Sequence, residues 1–216
     1  MKAVLFDWDG TLVDSRQTVL EAYRRASREV LGLDFPSGPA EEQSVLTGHT
    51  RVSFAPLAGD DETLERVIAA TAEAYLRATP ALAFVGAADL LDALHAGGVA
   101  IGVVTSKLRR AFEHDAELLG LRDRIDAAVA GDDDHPPKPD PAPLRACLAE
   151  LGVEPAAALF VGDGPDDIAA GRAAGVRTVA ALHGFAPRTV LGAGPDRTVD
   201  SLAELRAVLA AELGLS

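Results

Sequence analysis

The segment Phe6-Asp7-Trp8-Asp9-Gly10-Thr11-Leu12-Val13-Asp14-Ser15 sets two carboxylates two residues apart, directly after a short apolar run. At a strand end, residues i and i+2 project to one side, so Asp7 and Asp9 can face a common pocket. Gly10 permits the sharp turn behind them. Close carboxylates either share a proton or are held ionised by a cation. A capped strand-to-helix turn, with Asp14 or Ser15 as N-cap, is the plainer reading of the same residues. A calcium loop is excluded, because its twelfth position is Thr18 rather than Glu and its required Gly falls on Leu12. Farther on, Gly162-Asp163-Gly164-Pro165-Asp166-Asp167 gathers three carboxylates within five residues. Such an oxygen-rich set suits a hard cation such as Mg²⁺, although Pro165, Asp166 and Asp167 are also good helix starters. Thr105 and Ser106 offer hydroxyls to a phosphate oxygen, or an N-cap to a helix beginning near Lys107. Lys138 stands between Pro137 and Pro139, which fix its backbone direction. A rigidly held ammonium lowers the pKa of nearby carboxylates and can bind phosphate.

The elements around these residues explain their grouping. Short β-branched runs recur at Ala3–Phe6, Val99–Thr105, Ala127–Ala130, Ala158–Val161 and Thr178–Leu182. The last four alternate with helical periodicity over Arg109–Leu119, Pro141–Leu151 and Asp166–Ala174. Apolar strands alternating with amphipathic helices predict an α/β parallel sheet covered on both faces, with its site at the carboxyl ends of the strands. Residues 15–80 break the alternation with helical patterns at Gln17–Leu31, Ala40–Leu46 and Glu62–Ala78. They read as a helical insert hinged at Val13–Arg16 and Thr79–Leu82, placed to act as a lid.

Length and charge bound the rest. The 216 residues are 48% apolar, enough for one core with a smaller insert. A net charge of −13 repels a phosphate backbone, so nucleic acid is not an expected partner. The longest stretch without Asp, Glu, Lys or Arg, Ala93–Ser106, is too short and polar to span a bilayer. Only Ala3–Phe6 precedes the first acid, so no secretion signal is expected. A lone cysteine, Cys147, fits a reducing compartment, and a cytoplasmic location is the expectation. Monomer and weak homodimer are both compatible with the sequence.

Asp7-x-Asp9-Gly10-Thr11, then Thr105, then Lys138-Pro139, then Gly162-Asp163-x-x-x-Asp167 resemble the four ordered motifs of the haloacid dehalogenase superfamily. The insert resembles the small helical cap of its first cap subclass. Gly171-Arg172-Ala173-Ala174-Gly175 and His183-Gly184 resemble the phosphoglycolate phosphatase-like branch. The resemblance implies a Rossmann-like core over residues 1–14 and 81–216 and an all-helical cap over 15–80. It implies Asp7 as nucleophile and Asp9 as general acid, then base. Mg²⁺ would be held by Asp7, the Asp9 carbonyl, Asp163 and Asp167, the last directly or through water. Thr105 and Lys138 would hold the phosphoryl oxygens, with Gly10, Thr11 and Ser106 in substrate binding. In the loop Thr47-Gly48-His49-Thr50-Arg51, Arg51 is a candidate for binding a carboxylate or second phosphate on the leaving group, or else a solvated arginine.

Two departures stand out: Gly164 where relatives commonly carry Ser, and Ser106 where many of the phosphatases carry Asn. The insert lacks the lysine that the phosphonatase branch requires, and Gln17–Leu31 lacks the histidine of the mutase branch. The expected activity is hydrolysis of small phosphate monoesters, phosphoglycolate-like, through an aspartyl-phosphate. The alternatives are a pyrophosphatase, a nucleotide or sugar-phosphate phosphatase, and a non-catalytic Mg²⁺-binding, receiver-like module.

Overall fold

A computed structural model describes residues 1–213. Six parallel strands form the sheet: β1 (Ala3–Phe6), β4 (Ala100–Val104), β5 (Ala127–Val129), β6 (Ala158–Gly162), β7 (Arg177–Ala181) and β8 (Arg197–Val199), in the order β5-β4-β1-β6-β7-β8. β1 is central, with Phe6 level with Val103 on one neighbour and Val161 on the other. The chain leaves β1 first for the β4 side and later for the β6 side. The strand order therefore reverses at β1, where open α/β sheets form their crevice.

Both faces are covered, which accounts for the unbroken apolar strands. Val4 and Phe6 pack on one side with Trp8, Phe112 and Leu91, beneath α5 (Ala87–Ala96), α6 (Arg109–Leu118) and α10 (Leu202–Leu213). Ala3 and Leu5 pack on the other with Leu144, Cys147 and Phe160, beneath α7 (Ala142–Leu151) and α8 (Pro165–Ala174). Burial pushes the Cys147 thiol up to about 12, as befits a core residue.

Between β2 (Val13–Asp14) and β3 (Leu82–Ala83) lie α1 (Arg16–Ala26), which runs into a π-helical turn to Leu31, then α2 (Pro39–Thr47), α3 (Thr50–Ala58) and α4 (Asp61–Tyr75). These helices enclose their own apolar cluster around Tyr23, Val45, Phe54 and Val67. β2 and β3 pair antiparallel, so both chain crossings run through one short ribbon at the expected hinge segments. The sequence reading lacks α3, whose Pro56 interrupts helical patterning, and the three-residue edge strand β8. Helices α5, α10 and the one-turn α9 (Thr189–Gly192) are likewise absent from it. Among the described residues, no helix is long and apolar enough to cross a membrane.

Close packing leaves no room at Gly102 in the middle of β4. A Cβ there would lie 2.6 Å from Cys147 Sγ and 3.2 Å from Leu5 Cγ. Gly102→Ala is expected to destabilise the fold by about 1–3 kcal/mol through overpacking. Combining it with Cys147→Ala should recover part of that loss, read from urea midpoints of the two variants.

Candidate active site

β1 ends at Phe6, and the ladder continues one residue further, Asp7 N–H donating to Val161 O at 2.8 Å. That bond fixes Asp7 on the sheet's carboxyl edge, 7% exposed. The turn behind it closes on the Trp8 carbonyl, which accepts from Leu12 and Val13 at 3.0 and 3.1 Å. Gly10 sits in this turn at φ +81°, with its Cα against the Asp163 carboxylate, so a side chain is excluded both by backbone conformation and by contact.

Three carboxylates converge. Asp7, Asp163 after β6 and Asp167 in the first turn of α8 are buried, with carboxylate oxygens within 4.8 Å of one another. Lys138 closes the group: its ammonium donates to Asp7 Oδ1 at 2.8 Å, Asp167 Oδ1 at 2.6 Å and the Val104 carbonyl at 3.1 Å, using all three protons. Other oxygens are tied to backbone, Asp163 Oδ2 accepting from Phe185 N–H at 2.5 Å and Asp167 Oδ2 from Gly164 N–H at 2.9 Å. The Gly164 departure leaves this helix start intact, because Asp167 supplies the cap.

Burial pushes the Asp7 carboxyl up to about 7, against the pull of Lys138 and with the push of Asp167. Asp163 is held well above the ordinary carboxylate range by burial and by the charges of Asp7 and Asp167. Asp166, half-buried at the rim, is raised by the same two causes, burial and the neighbouring Asp167. Three all-oxygen donors in one dry cluster, short of positive charge, suit a hard divalent cation. The residues present therefore fit Mg²⁺.

Asp9 faces away from that cluster. Its Oδ1 accepts from Lys107 Nζ at 2.7 Å and from the Ser15 hydroxyl. Lys107 is buried and also meets Asp115 of α6 at 3.2 Å. Asp115 Oδ2 in turn accepts from Tyr75 OH at 2.7 Å and from Trp8 Nε1 at 3.4 Å, and the Lys107 ammonium lies 3.9 Å from the centroid of the Tyr75 ring. Burial alone would discharge Lys107; Asp9, then Tyr75 and Asp115, reverse this and hold its pKa above the ordinary lysine value. Tyr75 ends α4, so the network runs from the insert to Asp9.

Thr105, fixed by Thr105 N–H to Val129 O at 2.9 Å, accepts the Lys107 N–H on its Oγ1 at 3.1 Å and keeps its own proton to donate. Asp7, Asp9, Thr105, Ser106, Lys138, Asp163 and Asp167 all line one cavity of about 70 Å³ between the sheet edge and the insert. Three candidates do not. Gly10 and Thr11 lie behind the carboxylates, where the turn buries Thr11 completely and its Oγ1 has no partner among the described residues. Arg51 lies on the outer side of α3, where its guanidinium pairs with Glu65 at 2.5 Å and stays half-exposed. His49, beside it, accepts the Arg51 N–H on Nδ1 and donates from Nε2 to the Gly131 carbonyl at 2.6 Å, joining insert to core.

Sequence reasoning passed over Lys107, Asp115 and Tyr75. Lys107 had a signal, since it is another of the chain's three lysines and directly follows Thr105-Ser106. Asp115 shares the buried face of α6 with Ala111, Phe112 and Ala116, and an acid on such a face needs a partner. Tyr75 looks like any core aromatic.

A family model for haloacid dehalogenase-like hydrolases matches residues 4–181. A phosphoglycolate phosphatase of Rhodospirillum rubrum is 36% identical over 214 residues, spanning 94% of this chain and 89% of that one. An N-acetylmuramic acid 6-phosphate phosphatase of Pseudomonas aeruginosa is 35% identical over 193 residues, spanning 86% and 83%. Among solved structures, CbbY from Rhodobacter sphaeroides in complex with phosphate superposes with a TM-score of 0.84 at 25% identity, over 95% of this chain and 96% of that one. With the ordered motifs gathered at one sheet edge and these matches spanning most of its length, the chain belongs to the haloacid dehalogenase-like hydrolases.

Proposed function

We propose that this protein is a Mg²⁺-dependent phosphatase of the cytoplasm, hydrolysing small phosphate monoesters through a phosphorylated Asp7. Residues 1–14 and 81–216 form its catalytic domain, and residues 15–80 form a cap over the site. The observation that carries the reading is the pairing of two differently held carboxylates, Asp7 with Lys138 and Asp9 with Lys107, in one cavity. Asp7, Asp163, Asp167 and the Asp9 carbonyl would hold Mg²⁺, whose charge offsets repulsion between Asp7 and the phosphate dianion.

Asp7 attacks phosphorus in line, and the bond from phosphorus to the alcohol oxygen breaks as the new one forms. Asp9 gives its proton to the departing oxygen. It then takes one from the water that cleaves the acyl phosphate and restores the Asp7 carboxylate. Lys138 and the Thr105 hydroxyl hold the phosphoryl oxygens, where their donors stabilise charge that grows in the transition state. A receiver-like module would gain nothing from Asp9, which shortens the life of the phosphorylated state.

Steady-state phosphate release from small phosphate esters is the first test. Multiple turnovers with Mg²⁺, none with EDTA and none in Asp7→Asn are expected; a single equivalent of phosphate would sink the reading. A second prediction concerns Lys107, which holds Asp9. Lys107→Met should lower kcat on alkyl phosphates by about ten- to a hundredfold, and by much less on p-nitrophenyl phosphate, whose departing oxygen needs little protonation. Equal losses on both would deny Lys107 this role.

Stability should also follow pH. Asp7 and Asp163 bind protons more tightly folded than unfolded, so the metal-free protein loses stability as pH rises from near 4 through about 7. The raised lysines keep their full contribution throughout this window. The Tm in EDTA should therefore be lower at about pH 8 than at about pH 5, and Mg²⁺ should raise it more at the higher pH.

A further inference from the structure

The insert contributes about half of the cavity's lining, and among the described residues that half carries no charged side chain. Val19, Val45 and Leu46 present hydrocarbon. The hydroxyls are already engaged: Thr71 donates to the Val67 carbonyl at 2.7 Å, Thr47 to the Gln43 carbonyl at 3.0 Å and Tyr75 to Asp115 at 2.7 Å. Tyr23 and Thr50 bond to each other at 3.1 Å, which leaves one hydroxyl proton between them for a ligand. The cations of the cavity are Lys107 and Lys138, each held between two carboxylates on the core side. Arg51, the cation beside the insert's loop, is paired with Glu65 outside.

A carboxylate on the leaving group would enter this half of the cavity desolvated and without a counter-charge, close to Asp9 and Asp166. A buried charge of that kind is strongly disfavoured. The space is also limited, at about 70 Å³. Resting on the phosphatase reading above, we propose that the cavity selects phosphate esters of short, uncharged alcohols over esters whose leaving group carries a carboxylate or a second phosphate. The hydrocarbon wall takes the carbon chain, and the Tyr23–Thr50 pair takes one neutral hydroxyl.

The test is kcat/KM for phosphate release by the full chain with Mg²⁺ on two matched pairs: 2-hydroxyethyl phosphate against phosphoglycolate, and glycerol 3-phosphate against 3-phosphoglycerate. Within each pair only the exchange of a hydroxymethyl group for a carboxylate differs. The neutral ester should be favoured by about tenfold or more in both. Thr47→Lys, which places an ammonium at a half-buried position of the same wall, should narrow or reverse that ratio. Equal rates, or a preference of the wild type for the carboxylates, would overturn the inference while leaving the phosphatase reading standing. So would a loss in Arg51→Ala confined to the carboxylate substrates, since it would bring that guanidinium to the substrate. No release from any of the four, nor from p-nitrophenyl phosphate, would take down both.

Discussion

Removing a carboxylate from water costs several kcal/mol unless a positive charge or enough hydrogen-bond donors replace the solvent. The cavity puts five of them, Asp7, Asp9, Asp163, Asp166 and Asp167, beside only two ammonium groups. Lys138 spends all its protons on Asp7, Asp167 and a carbonyl, and Lys107 is divided between Asp9 and Asp115. What remains is a deficit of positive charge centred on Asp7 and Asp163, visible in their raised pKa values. Burial and that deficit together suit a divalent cation, and they explain why the loops around the site are so tightly specified.

The sheet supplies that specification. Parallel strands end at one edge, and the reversal of strand order at β1 opens a crevice there between β4 and β6. Asp7, Thr105 and Asp163 each follow one of these three adjacent strands, and ladder hydrogen bonds extend to Asp7 and Thr105 themselves. Gly10 permits the β1 turn to pass directly under the Asp163 carboxylate. Lys138 arrives from the connection after β5, between two prolines, and needs no regular element because its three acceptors locate the ammonium.

Much of this was legible in the sequence because the signals were local. Asp7 and Asp9 at a strand end, and Asp163 with Asp167 across a helix start, carry their spacing along the chain. The parallel sheet followed from apolar runs alternating with helices. What escaped were contacts whose partners lie far apart in sequence: Lys107 reaches Asp9 across 98 residues, and Tyr75 joins Asp115 from 40 residues away. Arg51, left open between substrate binding and a solvated arginine, pairs with Glu65 outside the cavity for a related reason. Its position beside the loop was readable, but the direction of its side chain depends on α3, whose Pro56 hides the helix from periodicity, and on Glu65 of α4.

The two carboxylates at the centre of the proposed reaction are held by different parts of the molecule, and this has a mechanical consequence. Asp7 is fixed within the core, by β6 on its backbone and Lys138 on its side chain. Asp9 is held by Ser15 and by Lys107, which also meets Asp115, and Asp115 accepts in turn from Trp8 and from Tyr75 of the insert. Moving the insert away would leave the nucleophile in place while loosening the group that donates and accepts protons. It would also leave Asp115 with one fewer donor, a buried loss that favours the seated insert. In the proposed reaction, a leaving group that fits against Val19, Leu46 and Tyr23 would allow the insert to seat and Asp9 to be held. One that does not fit meets Asp7 without a positioned acid. On the proposed reading, selection by the neutral wall and control of proton transfer would act through the same seating of the insert, with the Tyr75–Asp115 hydrogen bond as the link between them.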